Sequence, residues 1–153
     1  MFETVDDIYN YIGQAMFDAL PDKWSEAWVE VLIYQPKISI SFVQQYLVGG
    51  GAKPKDFNVD EINGNYIESN VDKAFYELHG VMKKDDQSAW NKARFYITAE
   101  GDFEIDFKYD TDFEWYKSLD VDSKEYDDLD IDIINQIKSW EGLSEGAPRY
   151  WKQ

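Results

Sequence analysis

The stretch FYITAEGDFEIDFKY, residues 95–109, decides the fold. Phe95 and Ile97 run into Glu100-Gly101, after which Phe103, Ile105, Phe107 and Tyr109 alternate with Glu104, Asp106 and Lys108. Alternation of period two sends successive side chains to opposite faces of a strand, so the stretch is predicted to be an antiparallel hairpin with one apolar face and one wet face. Upstream, Trp28–Tyr34 and Ile38–Tyr46 show the same period, with Val29, Val31 and Ile33 matched by Ile38, Ile40 and Phe42 across a turn at Gln35-Pro36-Lys37. Two hairpins imply an antiparallel sheet of about four strands.

Helical spacing surrounds these strands. Thr4 and Asp7 form a capping-box pattern ahead of the stripe Val5, Ile8, Tyr9, Ile12 and Met16, and the helix should stop near Leu20-Pro21. Gly49, Gly50, Gly51 and Pro54 break the chain before an indistinct stretch. Val71, Ala74, Phe75, Leu78 and Met82 then give a second helix, with His79 expected at its surface near the end. Ile133, Ile134, Ile137 and Trp140 give a third, whose amino end would be favoured by Asp130 and Asp132. About three helices packed on two hairpins make an α+β fold. No repeat, low-complexity tract or linker is visible, and 153 residues suit a single domain over 1–153.

Charge narrows the function. The net charge is -16, and the segment DTDFEWYKSLDVDSKEYDDLDID, residues 110–132, carries half of it with ten carboxylates and two lysines. Such a chain repels nucleic acid and anionic membranes, so a cationic protein is the expected partner. The segment also contains Phe113, Trp115, Tyr116, Leu119 and Tyr126, which a solvating tail has little reason to carry, so it is expected to fold. It reads either as a solvated face or as a docking surface. In the docking reading the contact residues are Asp110, Asp112, Glu114, Trp115, Tyr116, Asp120, Asp122, Tyr126, Asp127 and Asp128, with Trp115 and Tyr116 as aromatic anchors inside a polar rim. The competing reading of Trp115 is a core residue folded back on the sheet.

Other chemistries find little support. Thirty-one acidic residues allow any carboxylate pair to be nominated, so a small carboxylate-dependent hydrolase stays only as an alternative. A single histidine and no cysteine leave no zinc set, no thiol nucleophile and no disulfide framework. Counting from Asp110 or Asp120 as the first position of a calcium loop puts Trp115 or Glu125 at the required glycine and Val121 or Ile131 at the required glutamate, so no metal is assigned. Gly49–Gly51 lacks the Gly-Lys-Ser/Thr of a phosphate loop, and no cofactor is expected. The amino end is acidic and amphipathic, unlike a secretion signal, and no apolar run approaches a membrane span. The expected location is cytoplasmic, and the sequence leaves the oligomeric state open.

Two segments carry a family resemblance. Residues 88–110, with Trp90 leading in, Gly101 at the turn and a strand ending in Tyr109-Asp110, look like the hallmark hairpin of the YezG-like immunity proteins. The segment IYNYIGQAMFDALPDKW, residues 8–24, is similar to that family's opening helix and its Pro-x-x-Trp exit. The resemblance implies a cytoplasmic antitoxin without catalytic machinery, which binds and blocks the toxin domain of a secreted polymorphic toxin, commonly a nuclease. The glycine run at 49–51 and the tail GLSEGAPRYWKQ have no place on the family pattern. An acidic adaptor or nucleic-acid mimic acting on another basic protein is the remaining alternative.

Overall fold

A computed structural model of the chain describes residues 2–35, 39–84 and 90–149, and these form two compact units, Met1–Tyr109 and Asp110–Gln153. The fold is α+β. The described residues make five helices, a five-stranded antiparallel sheet and a small two-stranded one, against the four strands and three helices expected.

In the first unit, α1 (Val5–Ala19) starts at the expected capping box: the Asp7 amide donates to Thr4 Oγ1 at 3.1 Å and the Thr4 amide to Asp7 Oδ2 at 3.2 Å. It ends at Leu20, held in an extended conformation as the residue before a proline must be. β1 (Glu26–Gln35) pairs with β2 (Ser39–Leu47), matching Val31 with Phe42 and Ile33 with Ile40. Both strands match their expected places. The turn at Pro36-Lys37 and the position of Ile38 lie outside the described residues.

β6 (Lys92–Thr98) pairs with the other edge of β1 and with β7 (Phe103–Lys108), in the register Ala93 with Phe107, Phe95 with Ile105 and Ile97 with Phe103. The hairpin therefore falls where its alternation put it. Gly101 has φ 99°, a left-handed conformation that glycine adopts without strain, and its amide donates to the Thr98 carbonyl at 3.0 Å. The strand order is β3-β2-β1-β6-β7, where β3 (Lys55–Asp56) is a short addition at the β2 edge.

Period two gives this sheet one apolar face, and α1 and α2 (Val71–Lys84) lie on it. The Tyr9 ring packs 6.5 Å from Phe95, and Phe75 packs 6.0 Å from Phe42. Ile12, Met16, Val29, Phe75, Leu78 and Phe95 are fully buried, each contributing about 1.5–3 kcal/mol relative to an exposed side chain. The other face is mixed: the Tyr96 hydroxyl donates to Glu26 at 3.1 Å and Arg94 pairs with Glu30 at 3.4 Å, while Trp28, Leu32 and Lys92 on the same face are buried, with the Arg94 guanidinium 5.4 Å from the Trp28 ring.

His79 corrects the sequence reading. It is buried, 6% exposed, with its ring edge-on to Trp90 at 5.0 Å. Helical spacing alone placed it beside the apolar stripe. Trp90, which arrives from the segment before β6, closes over it.

The stretch that lacked any pattern also folds. β4 (Glu61–Ile62) and β5 (Asn65–Tyr66) form a hairpin through Asn63-Gly64, whose φ values of 52° and 79° are those of a type I′ turn.

In the second unit, α3 (Thr111–Ser118), α4 (Lys124–Asp127) and α5 (Ile131–Lys138) occupy the acidic segment and the residues after it. The segment folds as expected, and Asp130 caps the helix that was foreseen. Trp115 and Tyr116, the expected aromatic anchors, stand on α3.

Candidate functional site

Asp110, Asp120 and Asp130, each ten residues from the last, do the same work in the acidic unit. The Asp112 amide donates to Asp110 Oδ1 at 2.9 Å, the Asp122 amide to Asp120 Oδ1 at 2.9 Å and the Asp132 amide to Asp130 Oδ1 at 2.8 Å. An aspartate side chain that captures the amide two residues on makes an Asx turn, which starts a helix and satisfies a donor the helix cannot. Asp110 starts α3 and also accepts from the Phe113 amide at 3.2 Å, and Asp130 starts α5. The turn at Asp120 leads to Ser123, which caps α4 by accepting from the Tyr126 amide at 3.2 Å. This rhythm is written as Asp-x-Asp at 110, 120 and 130. A search for apolar periodicity passes over it because the repeated element is polar.

Two further carboxylates are engaged. Asp112 is 6% exposed and faces Arg149, whose Nε and Nη2 donate to Oδ1 and Oδ2 at 2.9 and 3.0 Å. Arg149 also donates to the carbonyls of Leu143, Ala147 and Glu145, so one guanidinium ties residues 143–149 to α3. The Asp112 carboxylate holds that guanidinium above its ordinary pKa through this hydrogen bond. Glu114 pairs with Lys117 at 2.9 Å, one turn away on α3.

The aromatic residues divide as well. Phe113 and Tyr116 are buried, with Tyr116 stacked 6.1 Å from Tyr126 and Lys138 5.5 Å from its ring. Tyr126 is half-buried, and its hydroxyl is raised above the ordinary tyrosine pKa chiefly by a hydrogen bond to Tyr116. Trp115 is half-buried.

Of the ten residues named from the sequence, Asp122, Asp127 and Asp128 are exposed, and their carboxylates make no hydrogen bond or ion pair among the described residues. Glu125 and Asp132, which the sequence reading left off its contact set, are in the same condition. Beside them Val121 and Ile131 are 63% and 64% exposed, each between two aspartates. No signal short of the turn geometry separates the capping Asp120 and Asp130 from the exposed Asp122 and Asp132 two positions on.

Among the described residues no cluster of three histidine, aspartate or glutamate side chains is arranged to hold a metal ion, and no helix is long and apolar enough to cross a membrane. The family described as "Immunity protein YezG-like" matches residues 5–139, which takes in both units up to α5. "Immunity protein YezG" of Bacillus subtilis (strain 168) is 18% identical over 111 residues, which cover 69% of this chain and 74% of that protein. Arg149 lies beyond the matched span. With both hairpins, α1 and α2 inside that span, the chain belongs to the YezG-like immunity protein family.

Proposed function

We propose that this chain is an antitoxin that binds and neutralises the toxin domain of a cognate secreted protein in the cytoplasm of the producing cell, and that the toxin is a nuclease. Membership of an immunity family supports the antitoxin role. The observation that carries the nuclease reading is the exposed set Asp122, Glu125, Asp127, Asp128 and Asp132, whose carboxylates make no hydrogen bond or ion pair among the described residues, around the exposed Val121 and Ile131. A nuclease holds phosphates with lysine and arginine, and a surface of free carboxylates competes for those cations. Exposed aliphatic side chains within it supply the apolar contact that charge alone lacks. In this reading Asp110, Asp120, Asp112, Glu114, Tyr116 and Tyr126 shape the surface, while Asp122, Asp127, Asp128 and Trp115 meet the toxin.

The test is to purify the chain with the toxin domain encoded beside its gene and assay the complex for cleavage of DNA and RNA. A stable complex without cleavage is expected. Full cleavage in the presence of excess chain contradicts the proposal, and a complex whose toxin has no nuclease activity removes the nuclease assignment while keeping the antitoxin one.

A further inference from the structure

The β4–β5 hairpin is held on a rigid base. The Asp60 carboxylate accepts from the Ser69 hydroxyl at 2.6 Å and the Ser69 amide at 3.0 Å, while the Ile67 amide donates to the Asp60 carbonyl at 2.7 Å. The Val59 amide donates to Gln44 Oε1 on β2 at 2.8 Å, and the Asn70 amide to the Tyr11 hydroxyl on α1 at 2.9 Å. These bonds fix residues 59–70 to a strand and a helix of the same unit. A segment pinned at that many points loses little conformational entropy when something docks on it.

Next to the hairpin is a cleft of about 240 Å³. Ile40, Phe42, Val59 and Val71 give it apolar walls, with Val59 and Val71 fully buried. Tyr66, 79% exposed, stands at its mouth with the exposed Glu68 and the half-buried Asp72. The lining carries three carboxylates, on Asp60, Glu68 and Asp72, against the single ammonium of Lys73. Glu68 makes no hydrogen bond or ion pair among the described residues. The anchored hairpin presents this tyrosine to solvent, and tyrosine is among the side chains that most often carry binding energy at interfaces.

We infer that this cleft receives an arginine side chain of the cationic protein partner, so the partner is gripped by the first unit as well as by the acidic segment. The inference rests on the proposal that the partner is a cationic protein. The cleft is smaller than the roughly 300–1,000 Å³ of sites for drug-sized ligands, and its net negative lining excludes phosphates and carboxylates. An arginine uses every part of it. The three-carbon stem lies along the apolar walls, the guanidinium plane stacks on the Tyr66 ring, and its N–H groups donate to the carboxylate of Glu68 or Asp72. Lysine shares the stem and the charge but lacks the flat face and the forked donors.

The test uses the full ¹⁵N-labelled chain titrated with the tripeptide Gly-Arg-Gly and, in parallel, with Gly-Lys-Gly. Saturable amide shifts at Tyr66, Glu68 and Asp72 are expected with the arginine peptide, weakened about fivefold in Tyr66→Ala and in Glu68→Gln. Tyr66 is almost wholly exposed, so its variant should melt with the parent protein, and equal melting temperatures confirm that the comparison is sound. Shifts confined to residues 120–132 overturn the cleft, and equal response to the lysine peptide overturns the choice of arginine. Toxin binding is measured separately on the same variants. Unchanged toxin affinity in Tyr66→Ala and Glu68→Gln sinks the cleft and leaves the antitoxin reading intact, whereas a wild-type chain that does not bind the toxin sinks the reading itself.

Discussion

The first unit holds its shape by burying apolar side chains against one face of a sheet, whereas the second starts α3 and α5 with aspartates and ties its tail down with one arginine. In the first, Ile12, Val29, Phe75 and Phe95 are fully removed from water. In the second, Phe113, Tyr116, Ile137 and Leu143 are the buried apolar residues among those described, beside a buried aspartate. A unit built on apolar burial can change its surface freely, because surface and core use different residue types. A unit built on carboxylates uses one residue type for both purposes, so position within a turn decides whether an acid shapes the fold or is left for a partner. This contrast gives the acidic segment a division of labour that its composition conceals.

The contrast breaks first if the core residues of the sheet prove dispensable. Phe95→Ala should cost about 3–5 kcal/mol in chemical denaturation, and Phe107→Ala and Ile105→Ala, which pack against the core from β7, about 2–4 kcal/mol each. Asp106→Ala, exposed on the same strand, should stay within about 0.5 kcal/mol. Equal small effects at all these positions would mean that the apolar face of the sheet is not where the unit's stability lies.

The second unit should respond to its arginine. Arg149→Ala removes two charged donors from the buried Asp112 carboxylate and should cost about 2–3 kcal/mol. Hydrogen exchange should show the loss in residues 111–118 and 143–149 while the amides of β1 and β6 keep their protection. Uniform loss across both units contradicts the assignment of the clamp to the second alone.

A smaller effect separates capping from free aspartates. Asp130→Ala should destabilise α5 by about 1 kcal/mol, since two residues on an amide loses its acceptor, while Asp130→Asn should be nearly silent because the amide oxygen accepts equally well. Asp128→Ala, whose carboxylate bonds nothing among the described residues, should not destabilise at all.

The least of the effects is on pH. Tyr96 is raised above the ordinary tyrosine value by burial first and then by its hydrogen bond to Glu26. A raised folded-state pKa on a phenol means that the fold favours its neutral form. Its contribution is therefore fully present below the unfolded value of about 10 and is lost as pH rises through the folded value. Stability should decline above about pH 10, and Tyr96→Phe should flatten that decline.

The sequence made the sheet legible because strands and amphipathic helices announce themselves by period, and the stripe from Val5, the hairpin Phe95–Tyr109 and the stripe from Val71 each keep a clean one. The buried state of His79 depends on Trp90, eleven positions on and across a chain break in periodicity, and no local pattern reports such a contact. The β4–β5 hairpin was written plainly in Asn63-Gly64, but its two-residue strands are too short for alternation to show. Arg149 was invisible for a different reason: a tail residue finding an aspartate on α3 is a tertiary event with no local signature. The acidic segment was recognised as folded by its aromatic residues, yet which of its acids are free followed only from the turns.

The central claim is that the exposed carboxylates of the second unit steer a cationic toxin. Its most direct measurement is the association rate of the chain bearing Asp120→Asn, Asp122→Asn, Asp127→Asn and Asp128→Asn with the toxin domain, at low and at high salt. Asparagine keeps the acceptor at Asp120, so the turn persists while the charge goes. The account predicts an association rate lower by about tenfold or more at low salt, and a wild-type rate that itself falls steeply toward the variant's as salt rises. An unchanged association rate, with a wild-type rate indifferent to salt, would contradict it.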